Sequence, residues 1–335
     1  MTAPASARAV AIFAPAETDA QSCVLLDEVG ALGGRGLLLP LTFSRGRRRL
    51  ELTVDDAGIV IGERLPPLGA VFLRGLAMSV PAIAPPFLSD VQHAAWRVRY
   101  MREQLRQRLL RTVCAAAAAE GALVVNRPET YYHHDTKAQL ARALHEAGLP
   151  VPRSAGTNDA GALAGFAPGA TVFKAGQGVG ATRALPPGAP PADRLLDCPA
   201  LFQERITGPT LRIHTVGDRI VLALRVVASS LDSRSAPERV EVVELGAAEE
   251  ALLARANQML GIHYAAWDAI LTPGGLVLLD CNPGPYIAWI GERFTRAVLR
   301  QVARFLVTHA RSGSLEEAQA AVRPVVEPAP AAGTA

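Results

Sequence analysis

Six consecutive apolar residues, Ala9–Ala14 (AVAIFA), open the pattern and predict a buried strand. Ser22–Leu32 has helical character and stops at Gly33-Gly34, after which Gly36–Phe43 is apolar again. Strand, helix, strand in that order predicts a β-α-β opening around a parallel sheet. Leu50–Glu63 alternates around Asp55-Asp56 and Gly58, the pattern of a hairpin, and Ala70–Leu73 is a further strand. A long helix is expected from about Ser89, as N-cap, to Ala119. Its residues Val98, Met101, Leu105 and Leu109 form one narrow apolar stripe. Arg99, Arg102 and Arg106 flank one side of it, and Arg97, Arg108 and Arg111 the other. Two readings stand: arginine stems lying along the edge of a core with their heads in water, or a cationic surface for an acidic peptide or polyanion. Gly46–Arg49 adds a small basic loop.

The second half changes character. Leu123–Val125 is a short strand closed by Asn126-Arg127-Pro128, and Asp135–Glu146 a helix stopped by Gly148 and Pro150. Ala155–Phe166 predicts a turn and helix. Strands and hairpins then dominate: Thr171–Lys174, Ala181–Leu185, Ala200–Glu204, Leu211–Val216, Arg219–Val227 and Val240–Glu244, with a Pro/Gly-rich loop at Pro186–Pro191. Glu249–Leu260 is a helix. Ala265–Leu271 and Leu276–Asp280 form a hairpin around Pro273-Gly274-Gly275, and Phe294–Arg311 is the closing helix. From Ser312 onward Ala, Pro and Glu lack periodicity, so a disordered tail is expected.

Composition narrows the class. In 335 residues, half are apolar, 19% charged and 5% aromatic, a globular balance with length for two or three domains. The net charge of +3 gives no whole-chain case for nucleic acid. Cys23, Cys114, Cys198 and Cys281 lie far apart without a CxxC pair, which fits a reducing cytosol better than a disulfide framework or a zinc knuckle. No apolar run approaches the roughly 18–20 residues of a membrane-spanning helix, and the N-terminus lacks the pattern of a signal peptide. A cytoplasmic protein is the expectation.

Candidate chemistry concentrates after residue 130. Asp268 and Asp280 interrupt otherwise apolar strands, where a carboxylate must pair, bind metal or stay at the sheet end. With the amide oxygen of Asn282 they form an all-oxygen set suited to Mg²⁺; strand-end acids capping turns are the plainer alternative. Lys174 ends an apolar strand and is followed by Ala175-Gly176-Gln177-Gly178-Val179-Gly180. Glycines let backbone N–H groups approach phosphate oxygens, and a neighbouring lysine suits nucleotide phosphates. A tight hairpin turn with a solvated lysine explains the same residues. Gln203-Glu204-Arg205-Ile206 offers backbone donors and acceptors to an adenine edge. Arg212 and Arg225, on the next two strands, suit a phosphoryl group, or surface ion pairs. His133-His134 are read as loop residues or helix N-terminal contacts rather than a base or metal ligands, and Trp289 as core packing or part of an acceptor wall.

The order of these pieces carries more than any one of them. Lys137, Lys174 with its glycine loop, Gln203-Glu204, Arg212, Arg225, Asp268 and Asp280-x-Asn282 together resemble the ATP-grasp ligases, in the branch of glutathione synthetase and the ribosomal-protein S6 glutamate ligase. Pro152-Arg153, Thr157-Asn158-Asp159 and Asp280-Cys281-Asn282-Pro283 followed by Ala288-Trp289-Ile290-Gly291-Glu292 look like the maturases of microviridin-type ribosomal peptides (graspetides). The Leu50–Leu73 hairpin region also looks like theirs, and Asp232-Ser233-Arg234 is a short match near their peptide site.

The resemblance implies an α/β (α+β) chain. A Rossmann-like pre-ATP-grasp domain would occupy 1–125, a small lid subdomain 126–200, a C-terminal ATP-grasp subdomain 201–311, and a tail 312–335. By position, Lys137 and Lys174 would hold ATP phosphates, with the loop of Gly176, Gly178 and Gly180 as a cover. Gln203, Glu204, Arg205 and Ile206 would meet the adenine. Asp268, Asp280 and Asn282 would hold one or two Mg²⁺ ions, with Mn²⁺ as the other ion admitted, and Arg212, Arg225 and Lys174 would serve the transferring phosphoryl group. Two positions depart from the family pattern: Thr210, where an acidic residue is usual, and Asp280, where Glu is usual. The implied activity is an ATP-dependent, ADP-forming ligase that activates a peptide side-chain carboxylate and couples it to a hydroxyl or amine. An amino-acid ligase that tails a protein or small molecule is the alternative in the same class, and a non-ligating ATP-binding scaffold the alternative in another. A precursor peptide or amino acid is the implied partner, nucleic acid and membrane are not, and a homodimer is expected.

Overall fold

The structure, a computed structural model, describes residues 8–40, 50–52, 59–61, 63–74, 90–167, 169–175, 182–185, 199–229 and 237–325. Gly46–Arg49, the Asp55-Gly58 turn, Ser89, Gly176, Gly178, Gly180, Pro186–Pro191, Cys198 and Asp232–Arg234 lie outside the described residues. The chain is a mixed α/β protein of two compact units, residues 1–128 with 303–321 and residues 129–302 with 322–335.

The first unit opens with β1 (Ala9–Ala14), α1 (Ala20–Ala31) and β2 (Gly36–Pro40). Short strands β3 (Leu50–Leu52), β4 (Ile59–Ile61) and β5 (Glu63–Arg64) follow, then β6 (Leu68–Leu73), α2 (Asp90–Ala119) and β7 (Leu123–Val125). Its main sheet has the order β2-β1-β6-β7 and is parallel throughout. All six residues of β1 and of β6 are buried, as expected of central parallel strands covered on both faces. Asp19 caps α1: its carboxylate accepts from the Ser22 backbone N–H at 2.9 Å and from the Ser22 hydroxyl at 2.6 Å. That cap starts the helix two residues earlier than the apolar pattern alone suggests.

The second unit begins with α3 (Tyr132–Asp135) and α4 (Lys137–Glu146). The single helix expected over Asp135–Glu146 is divided at Thr136, which leaves helical backbone angles (φ −114°, ψ 63°) while its hydroxyl bonds the Tyr132 carbonyl at 2.6 Å. Next come β8 (Ser154–Thr157), β9 (Thr171–Ala175), β10 (Arg183–Ala184) and β11 (Ala200–Glu204), one antiparallel sheet of order β10-β9-β11-β8. The turn and helix expected over Ala155–Phe166 are instead β8 followed by a 3₁₀ turn at Ala160–Leu163. The small residues of Ser154–Thr157 carry no alternation to announce a strand; pairing with β11 makes them one.

The larger sheet of this unit is antiparallel, of order β14-β13-β12-β15-β16. Its members are β12 (Thr210–Val216), β13 (Arg219–Ala228), β14 (Pro237–Val242), β15 (Tyr264–Thr272) and β16 (Gly275–Asn282), with α5 (Ala247–Leu260) between β14 and β15. One face carries the core: Leu140 and Leu144 of α4 and Leu253, Ala256 and Leu260 of α5 pack with Leu211, Ile213, Ala223, Trp267, Ala269, Leu278 and Cys281. Gly261, at φ +65°, ends α5 in the left-handed conformation that glycine adopts without Cβ strain. α6 (Glu292–Ser312) runs from the second unit into the stretch assigned to the first, and α7 (Leu315–Ala321) follows. The disordered tail expected from Ser312 is therefore ordered to residue 325. The Ser314 hydroxyl accepts from Glu317 N–H at 3.2 Å, Ala318 and Val322 are buried, and Val325 N–H bonds the Val221 carbonyl at 2.7 Å.

Candidate functional site

Strand register decides which side chains meet. Arg212 on β12 is directly opposite Asp268 on β15, and Asp268 is opposite Asp280 on β16. These three project from the face of the large sheet that the α4/α5 core does not use, because Ile213, Trp267 and Cys281 occupy the alternate row. A bulge at this point in the β15/β16 pair sets the row. Leu278 and Cys281 both join the core although they are three residues apart, and Asp280 is thereby turned to the other face.

Asp280 is 7% exposed and Lys137 5%. Asp280 Oδ2 accepts a short hydrogen bond from Lys137 Nζ, delivered by the first turn of α4. Its Oδ1 accepts from the Cys281 backbone N–H at 3.0 Å and lies 4.0 Å from His134 Nδ1 of α3. Burial by itself pushes the Asp280 carboxyl up, but the positive charges of Lys137 and then Lys174, with His134 and the Lys137 hydrogen bond, bring it below the usual carboxylate range. Lys174, on β9 and opposite Leu201 of β11, is thus the second ammonium group acting on this carboxylate. Arg212 Nη1 donates to Asp268 Oδ1 at 2.7 Å. The Asn282 side-chain oxygen accepts from Gly284 N–H at 3.0 Å, which fixes the turn leaving β16. Gly284 lies against the Tyr131 ring, where a Cβ would come within 2.7 Å of a ring carbon.

Other residues singled out from sequence fall around this centre or away from it. Gln203 is buried, its amide donating to the Ser154 hydroxyl at 3.1 Å. Glu204 and Arg205 are exposed, and their N–H groups bond the Arg153 and Ala170 carbonyls, both at 2.9 Å or less. Ile206 is half-buried. Arg225 is not gathered in: it stands opposite Leu211, in the row of Ala223, and its guanidinium lies 3.8 Å from Glu241. Trp289 is not core, being 39% exposed, and Tyr286 beside it is exposed as well.

His134, read from sequence as a loop residue or a contact at the start of the Lys137 helix, stands on α3 beside that start. Nothing in Tyr-Tyr-His-His distinguishes a loop histidine from one on a one-turn helix; the break at Thr136 directs it to Asp280. A compositional signal was available for the lysines. Of 34 Lys+Arg residues, Lys137 and Lys174 are the chain's sole lysines. A sequence that uses arginine everywhere else keeps a compact ammonium at two positions, and both act on Asp280.

Two carboxylates and an amide oxygen on adjacent strands are the donor chemistry of Mg²⁺. Both carboxylates here are already engaged by cationic side chains, so a divalent ion would have to exchange with those partners rather than enter a bare acidic cluster. Among the described residues no three His, Cys, Asp or Glu form a metal cluster by themselves.

Comparison with known proteins bears on the fold. No family model matches the chain. A probable alpha-L-glutamate ligase of Alkalilimnicola ehrlichii is 28% identical over 128 residues, 36% of this chain, and the match spans 42% of that relative's length. Among solved structures, the ATP-grasp ligase PsnB, complexed with a phosphomimetic variant of a minimal precursor, Mg and ADP, superposes with a TM-score of 0.77 at 24% identity, covering 91% of this chain and 99% of PsnB. The macrocyclase MdnC of Microcystis aeruginosa, bound with precursor peptide MdnA, gives 0.65 at 18% identity over 87% of this chain and 98% of MdnC. A RiPP-associated ATP-grasp ligase of Chryseobacterium gregarium, in complex with ADP and a leader and core peptide, gives 0.65 at 17%, over 87% of this chain and 95% of that one. The chain has the fold of the ATP-grasp ligases.

Proposed function

We propose that the chain is an ATP-dependent, ADP-forming carboxylate ligase that acts on a peptide. The observation that carries this reading is the gathering of Lys137, Lys174 and Arg212 with Asp268 and Asp280 at one face of the large sheet. A carboxylate is a poor acyl donor because oxide is a poor leaving group. Attack of its oxygen on the γ-phosphorus of ATP forms an acyl phosphate and releases ADP. An acceptor hydroxyl or amine then adds to the carbonyl, loses its proton, and expels phosphate. The phosphoryl transition state calls for positioned cations rather than a nucleophilic side chain. Lys137, Lys174 and Arg212 supply them, with Lys137 and Arg212 leaving their carboxylate partners for phosphate oxygens. Arg225, ion-paired to Glu241 in the alternate row, is the lesser candidate for this work.

Asp268, Asp280 and Asn282 would hold one or two Mg²⁺ ions, which supply charge neutralisation and alignment of the phosphates. Gln203, Glu204, Arg205 and Ile206 would meet the adenine, and Gly176, Gly178 and Gly180 would close as a lid that keeps water from the acyl phosphate. The parallel sheet of the first unit would be the Rossmann-like pre-ATP-grasp part. PsnB, MdnC and the Chryseobacterium ligase were each solved with precursor or leader peptide, which supports a precursor peptide as substrate here and a macrolactone or lactam as product. The glutamate ligase match supports the second reading, addition of an amino acid to a protein or small molecule. A scaffold that binds ATP without ligating is the third, favoured by Thr210 and the shortened Asp280. A cytoplasmic homodimer completes the proposal. Among the described residues no helix is long and apolar enough to cross a membrane.

Mass spectrometry of candidate precursor peptides incubated with the protein, ATP and Mg²⁺ tests this. Loss of one water from the peptide supports internal ring closure, and a gain of residue mass supports tailing. Saturable ATP binding with an unchanged peptide pool contradicts ligation.

A further inference from the structure

His214 takes no part in the chemistry above, yet it lies in the row that carries it. Two residues on from Arg212 along β12, it projects from the same face of the large sheet, while Ile213 between them turns into the core. In register it stands opposite Leu222 and Ala266, and Ala266 is in turn opposite Asn282. Its ring is wholly buried, and neither Nδ1 nor Nε2 has a hydrogen-bond partner.

Arg212 carries the complementary defect. Its Nη1 is given to Asp268, while its Nε is enclosed with no acceptor. Buried polar groups without partners are uncommon in folded proteins and costly. Here an unmet donor and an unmet acceptor belong to side chains on one strand face whose backbones are roughly 7 Å apart, a spacing that Arg and His side chains can bridge. Around the ring in register, Val216, Leu222 and Ala266 offer no polar side-chain atom. Asp268, on one diagonal, is taken by Arg212, and Tyr264, on the other, does not bond the ring. Burial, and after it the charge of Arg212, keeps the extra proton off the imidazole, so one ring nitrogen is an acceptor.

The proposed phosphoryl transfer requires Arg212 to leave Asp268, and a guanidinium released from its carboxylate needs another fixed point. Nε is the N–H nearest the backbone. A bond from Nε back to the imidazole fixes the plane of the group and leaves both Nη atoms for phosphate oxygens. We infer that His214 is the positioning residue of Arg212, its ring accepting the Nε–H when the guanidinium turns from Asp268 to the γ-phosphate. The inference rests on the nucleotide-site reading and deepens it.

The test uses the full chain with the heavier nitrogen isotope in its arginine and histidine side chains, and Mg²⁺ with AMPPNP as a triphosphate that is not turned over. In nuclear magnetic resonance, a coupling between an arginine Nε and a histidine ring nitrogen passes only through an N–H···N bond. It should be absent from the free protein and with Mg²⁺-ADP, appear with Mg²⁺-AMPPNP, and vanish in His214→Gln, which assigns it. His214→Leu should bind Mg²⁺-AMPPNP about tenfold more weakly and Mg²⁺-ADP with little change. His214→Gln, whose amide oxygen is again an acceptor, should recover most of that loss, whereas a merely structural histidine would affect both nucleotides alike. The coupling is read on wild-type protein, so it decides the matter even if His214→Leu does not fold. AMPPNP bound without the coupling, or equal losses of both nucleotides in His214→Leu, overturns the assignment and leaves the nucleotide site standing. Failure of AMPPNP and ADP alike to bind overturns both.

Discussion

Lys137 and Asp280 are each buried beyond what an unpaired ion tolerates, so their pairing is a condition of the local fold as well as of the proposed chemistry. Removing one partner of such a pair costs about 3–5 kcal/mol, because the other charge stays buried and uncompensated. Lys137→Met should therefore lower unfolding free energy by an amount of that order in urea titration and also abolish ATP turnover; unchanged stability would mean that the pair is not formed. His214 makes a second residue-scale prediction. It is fully buried with both ring nitrogens unpartnered, and burial, then Arg212, lowers its pKa to about 3 from 6.5. A histidine whose folded pKa is depressed loses stability as pH falls, since the unfolded state takes up the proton first. Between pH 6.5 and about 3 that loss is on the order of 1.4 kcal/mol per pH unit. Denaturation at pH 7 and pH 5 should show a drop in wild type that is smaller in His214→Phe, the remainder coming from the partly buried His133 and His134; equal drops would place the cause elsewhere. These residues were unequally legible. Asp268 and Asp280 announced themselves as charges in apolar strands, while His134 and His214 did not, because burial and orientation come from packing that no local spacing encodes.

At the scale of elements, the sheet that carries the site is braced from behind. Asn257 on α5 donates to the Thr215 hydroxyl at 3.0 Å and the Gly217 carbonyl at 3.1 Å, and accepts from Trp267 Nε1 at 3.0 Å. One buried amide thus ties the helix to β12, to β15 and to the turn after β12. Asn257→Ala strands those groups and should cost on the order of 2–3 kcal/mol in chemical denaturation, with a larger loss than Gln258→Ala, whose amide bonds Asp218 at the surface. Central strands and long helices were readable here from apolar runs and from Gly stops such as Gly261. β8 was not, because Ser-Ala-Gly-Thr has strand geometry only through its pairing with β11. α7 was missed for a similar reason: an alanine-rich segment has no stripe until Ala318 and Val322 find something to pack on. The side of the sheet that Asp280 faces depends on a single bulge, which a strict two-residue period does not foresee.

For the whole molecule, the order of motifs along the chain was enough to reach the fold class, because ATP-grasp chemistry draws on residues far apart in sequence and fixes their succession. Association is a separate matter. Val98, Met101 and Leu105 are half or more exposed along α2, while most other large apolar side chains among the described residues are covered. That stripe supports the proposed homodimer. Light scattering after size exclusion should give twice the chain mass, and Met101→Glu should reduce it toward the monomer; a monomeric wild type contradicts the dimer but not the chemistry.

The most direct test of the carboxylate-activation claim follows the oxygen. A peptide substrate labelled with oxygen-18 in its reacting carboxylate is incubated with the protein, Mg²⁺ and ATP, and the released phosphate is examined by mass spectrometry. Acyl-phosphate formation transfers one labelled oxygen to phosphate, alongside ADP in equal amount. Unlabelled phosphate, or AMP and pyrophosphate in place of ADP, would contradict it.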